Sequence, residues 1–214
     1  MSCEKSSALK DCQSGDRVAV LIGFQSSLHR NFCNACVRQA SVMKQYTGNL
    51  LGHCETVESI EGCWPKNYGL GVLIFEQGRE CAKWTTSDPV FRAQDFLEQV
   101  EMYCVPLCNS IPTDYPVLSI IDLDVREGAG PSNDTLGSHA ECVRAAGGFP
   151  CVAATGRVHK VRGLRSPGYY MIDAWRSSEQ FHAWYTSEAG AAEREKRQQV
   201  ANADIILACL TREI

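Results

Sequence analysis

Three aspartates interrupt otherwise apolar runs. Asp122 and Asp124 fall in Ile121-Asp122-Leu123-Asp124, and Asp173 falls in Met171-Ile172-Asp173-Ala174-Trp175. Both runs read as β-strands. Burial of a carboxylate on such a strand disfavours its charged form, and a second carboxylate nearby pushes one pKa further up. A sheet pocket makes a general acid or base in this way. Asp173 and Asp122 are therefore candidate catalytic residues, close together provided that both stand on one face of the sheet. Asp124, two residues beyond Asp122, shares its face; it reads either as a substrate contact or as a strand-end residue in solvent.

His139 is the third catalytic candidate. It follows Leu136 by three residues and precedes Val143 by four, on the inward stripe of an expected helix. It reads as the proton-transfer partner of the aspartates or as a hydrogen-bonded core histidine. Tyr170, Trp175 and Trp184 supply flat aromatic surface for a substrate, although strand alternation sends Tyr170 and Trp175 to opposite faces. The run Arg157, Lys160, Arg162, Arg165 reads as a solvated face before it reads as an anion site.

The twelve cysteines read as small buried hydrophobes rather than a disulfide framework. Cys33-Asn34-Ala35-Cys36 has no second pair of matching spacing, and no histidine forms a metal triad with its sequence neighbours. No metal is expected.

The elements that must position these residues recur. Residues 69–94 match 169–194 at an offset of 100, with Trp84-Thr85-Thr86-Ser87-Asp88 over Trp184-Tyr185-Thr186-Ser187-Glu188. Val20–Gln25 matches Ser119–Asp124, and Tyr46-Thr47-Gly48 matches Ala146-Gly147-Gly148. Each copy predicts a strand (17–25; 116–125), a helix (29–46; 133–146) closed by glycine, and strands at 49–60 and 151–162 and at 70–75 and 169–175. A helix from 78 or 178 and a last strand (101–107; 203–210) complete it. The order is βαββαβ twice: an α+β chain of two ferredoxin-like repeats, 17–108 and 115–210, with a linker at 109–114 and a flexible segment at 1–16. Strand 18–24 is apolar at almost every position, as a strand covered on both faces should be. The expected cover is the other repeat's sheet, which gives an intramolecular pseudo-dimeric α/β barrel.

A net charge of −4 in 214 residues gives no electrostatic reason to expect nucleic acid or a membrane surface as partner. Residues 1–10 lack the apolar segment of a secretory signal, so a cytoplasmic location is expected. Residues 126–134 form a polar insertion peculiar to the second copy, of a composition that can lid a pocket.

The pattern Asp122-Leu123-Asp124-Val125, Gly147-Gly148, Gly163, Ile172-Asp173-Ala174-Trp175-Arg176-Ser177 and Ala183–Ser187 resembles the dimeric α/β-barrel superfamily. Its nearest-looking branch is a small bacterial family without assigned function, near the antibiotic-biosynthesis monooxygenases and polyketide cyclases. The resemblance implies sheet-to-sheet pairing, here made intramolecular by fusion, and a pocket between helices and sheet. Relatives also include lactone isomerases, haem-degrading enzymes and stress proteins, so fold analogy selects no reaction. The leading expectation is an enzyme of cofactor-independent proton transfer (cyclisation, isomerisation or elimination) on a small apolar oxygenated substrate. The alternatives are a monooxygenase, cofactor-free or using haem, and a non-catalytic ligand-binding or stress protein. Further association into a homodimer stays open.

Overall fold

The computed structural model describes residues 17–87, 100–126 and 133–214, without the side chains of 133–137, 153 and 154. The expected flexible start, most of the polar insertion and the Leu136 side chain lie outside the described residues. The first half runs β1 (Val18–Gln25), α1 (His29–Gln45), β2 (Gly48–Cys54), β3 (Glu58–Glu61), β4 (Tyr68–Phe75), α2 (Gly78–Ser87) and β5 (Glu101–Pro106). The second runs β6 (Val117–Val125), α3 (Asn133–Ala145), β7 (Phe149–Thr155), β8 (His159–Arg162), β9 (Tyr169–Trp175), α4 (Ser178–Thr186), α5 (Glu188–Val200) and β10 (Ala201–Cys209).

The strands form two five-stranded antiparallel sheets, ordered β2-β4-β1-β5-β8 and β3-β10-β6-β9-β7. Each sheet is built from one half plus a single short strand of the other. β3 leaves its own half to pair with β10, and β8 leaves its own to pair with β5. The expected strands 49–60 and 151–162 are thus each two strands, broken at residues 55–57 and 156–158 so that the second piece can cross to the far sheet.

Alternation sorts the strand residues between two surroundings. In β1, Val18, Val20, Ile22 and Phe24 pack with Phe32, Cys36 and Met43 of α1. Leu21 points the other way, into a core shared by both sheets with Val72, Tyr103, Ile120, Tyr170, Ile172 and Ile206. The sheets therefore pack face to face, with the helices outside. Every residue of β1 but the last is buried, which is what cover on both faces requires. Gly71 of β4 lets α1 approach: a Cβ there would overlap the Phe32 ring.

The helix ends differ from expectation in one half. In the second, Gly147 takes the left-handed conformation (φ 81°). Its N–H donates to Arg144 O (2.9 Å) and that of Gly148 to Val143 O (2.9 Å), the paired bonds of a Schellman cap. In the first, Thr47, not Gly48, carries positive φ (59°). Gly48 already belongs to β2, beneath the Phe75 ring. At α4, the hydroxyl of Ser177 accepts from Gln180 N (3.2 Å). This N-cap fixes the helix that lays Phe181 and Trp184 over the second sheet.

Candidate functional site

In β9, Met171, Asp173 and Trp175 share the face that looks toward the helices. Register places Ser119 of β6 beside Asp173. Above them, α3 lowers His139 onto the carboxylate: His139 Nε2 lies 2.9 Å from Asp173 Oδ2. Both are buried, Asp173 at 0% exposure and His139 at 6%. Trp175 Nε1 donates to Ser119 Oγ (3.0 Å). The Ser119 hydroxyl reaches Asp173 Oδ2 only at 3.5 Å, too far for a strong bond. Asp173 Oδ1 is buried with no partner among the described residues. The Trp184 ring stands edge-on to His139 at 5.7 Å between centroids. Asp173, His139, Trp175 and Trp184 are thus brought together.

The remaining expected site residues stand elsewhere. Asp122 is an odd number of residues from Ser119 on β6 and so points to the opposite face. Its register partner is Tyr170, and proximity to Asp173 does not hold. Asp122 Oδ1 accepts from Gly168 N (2.9 Å), and Arg165 Nη2 lies 3.9 Å from Oδ2. Desolvation raises the pKa of Asp122, against the lowering pull of the Gly168 N–H and of Arg165. Tyr170 lies wholly between the sheets, 5.9 Å from Tyr103 ring to ring. Burial and then the Asp122 charge drive its phenol pKa upward, so it serves as a neutral donor. Asp124 is exposed and, with Asp122, Arg165 and Asp204, lines an open cleft of about 530 Å³. Arg165 is committed there: it ion-pairs with Asp204 and covers Trp64 at 4.6 Å.

Among the described residues one trio has the donor set of a metal site. His29 Nε2 and His53 Nδ1 are 2.8 Å apart, and Cys33 Sγ lies 3.6 Å from the first and 3.9 Å from the second. Sequence reading passed over it by looking for partners of Cys33 at CxxC spacing. The available signal was His29-x-x-x-Cys33, four residues apart on one helix face; His53 arrives through sheet pairing, which spacing does not reveal. Cys36, three residues beyond Cys33, is buried in the core.

No family model matches the chain, and no curated protein matches it in sequence. Solved structures do match in three dimensions. A protein of Fusobacterium nucleatum provisionally assigned as a monooxygenase has a TM-score of 0.55 at 9% identity, covering 92% of this chain and 93% of that one. A chlorite dismutase variant of Candidatus Nitrospira defluvii scores 0.53 at 9% identity, over 93% and 92%. A haem-binding protein of Thermus thermophilus scores 0.51 at 9% identity, over 92% and 91%. Likeness at this identity shows the fold, a ferredoxin-like α+β arrangement spanning nearly the whole of each chain.

Haem is the cofactor these neighbours raise. A histidine that ligates haem presents a free nitrogen to open space. Nε2 of His139 is engaged by Asp173, and the Trp184 ring stands against the imidazole. Neither the cleft at Asp122 nor the void of about 10 Å³ between Trp64, Tyr103 and Tyr170 is lined by a histidine. Neither of these two cavities offers a haem a histidine ligand.

Proposed function

We propose that this chain is a small-molecule enzyme of proton-transfer chemistry, with His139 and Asp173 as its acid/base pair. The observation that carries the reading is the buried contact of His139 Nε2 with an aspartate whose other oxygen has no protein partner among the described residues. An unpaired carboxylate oxygen in an apolar enclosure opposes stability, and such arrangements cluster where a proton must be held or moved. Asp173 Oδ2 accepts from Nε2–H and so fixes the imidazole tautomer, leaving the Nδ1 lone pair to act as the base. Nδ1 takes a proton from a carbon beside a substrate carbonyl; the C–H pair moves onto the carbonyl oxygen as an enolate. Asp173 stabilises the imidazolium that forms. Return of the proton to another atom gives isomerisation, and loss of a leaving group gives elimination. Trp175 and Trp184 form the apolar wall. Asp122 and Asp124 belong to the separate cleft, Tyr170 lies between the sheets, and none of the three takes part in this step. The two halves are read as copies of one ancestral unit, joined as a pseudo-dimeric barrel in which the second copy keeps the chemistry.

The test is hydrogen exchange in D2O with a panel of aryl ketones, β-diketones and phenolic ketones, followed by proton NMR. The expected result is catalysed exchange at the enolisable carbon, reduced at least ~100-fold in Asp173→Asn and in His139→Gln. Exchange equal in parent and variants would overturn the assignment. A second reading, an oxygenase, is favoured by the monooxygenase and haem-binding neighbours. Oxygen uptake with phenols, or a Soret band on reconstitution with haemin, would support it; absence of both removes it.

A further inference from the structure

We propose that His29, Cys33 and His53 bind a divalent ion of the zinc class, at a site in the first half and independent of the His139–Asp173 reading. His29 and Cys33 stand one turn apart at the start of α1, and His53 faces them from β2. Zinc bonds of about 2.05 Å to nitrogen and 2.3 Å to sulfur, at tetrahedral angles, place two nitrogens about 3.3 Å apart and nitrogen and sulfur about 3.6 Å apart. The structure has 3.6 and 3.9 Å for the two sulfur–nitrogen separations and 2.8 Å between the nitrogens. Seating an ion requires the imidazoles to part by only about 0.5 Å.

The orientation of His53 is the second, independent observation. Its Nε2 lies 3.0 Å from the carbonyl oxygen of Glu213. A carbonyl only accepts, so Nε2 carries the proton and the Nδ1 lone pair is turned into the trio. A ligand histidine is held by this kind of outer bond, which sets its tautomer and ring angle. The backbone of His53 is pinned as well: its N–H donates to Thr211 O (2.8 Å) and its O accepts from Thr211 N (2.7 Å). His53 is buried, whereas His29 and Cys33 are only partly covered. Three protein ligands with an approach from solvent leave the fourth position for water, the pattern of an open zinc site. The set of two imidazoles and one thiolate is soft enough to prefer zinc over calcium or magnesium. At the level of His53 the second half carries Ala153 and Ala154, so the site is peculiar to the first.

The test uses the whole chain, stripped with chelator and kept reduced. Zinc is titrated against a chromogenic chelator, and cobalt(II) is added in place of zinc as a spectroscopic probe. The expected result is one equivalent bound, with a thiolate-to-cobalt charge-transfer band. Cys33→Ser abolishes the band, and Cys33→Ser and His29→Gln each weaken zinc binding at least ~10–100-fold. Cys63→Ser, an exposed cysteine elsewhere, leaves both readouts unchanged. Circular dichroism checks folding, and since both ligand positions are partly exposed, either variant suffices if the other fails to fold. Binding without a thiolate band, binding unaffected by the variants, or no stoichiometric binding would each overturn the proposal.

Discussion

His139 Nε2 and Asp173 Oδ2 stand 2.9 Å apart inside an aromatic enclosure, and the carboxylate's second oxygen has no partner among the described residues. Removing one member of such a pair is unequal to removing the other. His139→Ala leaves a buried carboxylate uncompensated and is expected to lower unfolding free energy by about 3–5 kcal/mol. Asp173→Asn removes the charge and keeps the shape, with an expected change within about 1 kcal/mol. Urea denaturation of the two variants checks the asymmetry; equal losses would contradict it.

Asp122 gives a pH prediction. Desolvation is the largest influence on it and raises its folded pKa above the unfolded value of about 3.9. The native chain therefore holds that proton more tightly than the unfolded chain. Its contribution is present in full below pH about 3.9 and is lost as pH rises through the folded pKa. Asp122→Asn has no such loss. The stability of the variant minus that of the parent should grow from acid toward neutral pH, read from urea midpoints at several pH values. A difference that is flat or shrinks with pH would contradict the assignment.

Thiol reactivity should divide the cysteines by burial. Burial pushes the thiols of Cys36 and Cys151 up to about 12 and that of Cys54 up to about 11. Cys63, Cys108 and Cys209 are exposed. Iodoacetamide at mildly alkaline pH is expected to label these three before Cys36, Cys54 and Cys151, which stay protected until denaturant is added. Peptide mass spectrometry over a labelling time course reads the order.

The strand exchange predicts the behaviour of a half. Residues 17–114 alone carry β3 without β10 and β5 without β8, and they expose the inter-sheet face of Leu21, Val72 and Val105. They should associate as a homodimer in which β3 of each chain pairs with β5 of the other. Light scattering after size exclusion measures this; a well-folded monomer would contradict it.

Much of this architecture was legible in the chain. The first strand of each half, their helices and the inward position of His139 followed from periodicity, because burial on one face of a regular element repeats locally; which aspartate His139 meets did not. Three things were not local. The four-residue strands Glu58–Glu61 and His159–Arg162 are mostly half-exposed, so no apolar pattern marks their departure to the far sheet. The separation of Asp122 from Asp173 depends on register, which pairs Ser119 with Asp173 and Asp122 with Tyr170. The His29, Cys33 and His53 trio needs a helix and a strand to meet, which residue spacing cannot show.

The exchange of β3 and β8 also sets a timetable for a chain made from its N-terminal end. β5 keeps an open edge until β8 emerges, and β3 has no strand to join until β10 appears roughly 140 residues later. At about 5–20 residues per second that interval is about 7–28 s. Until β10 completes the second sheet, the apolar inner face of the first lacks its full cover. The nascent chain is thus most exposed to misassociation while the ribosome is still finishing its second half, and slower elongation lengthens that window rather than easing folding.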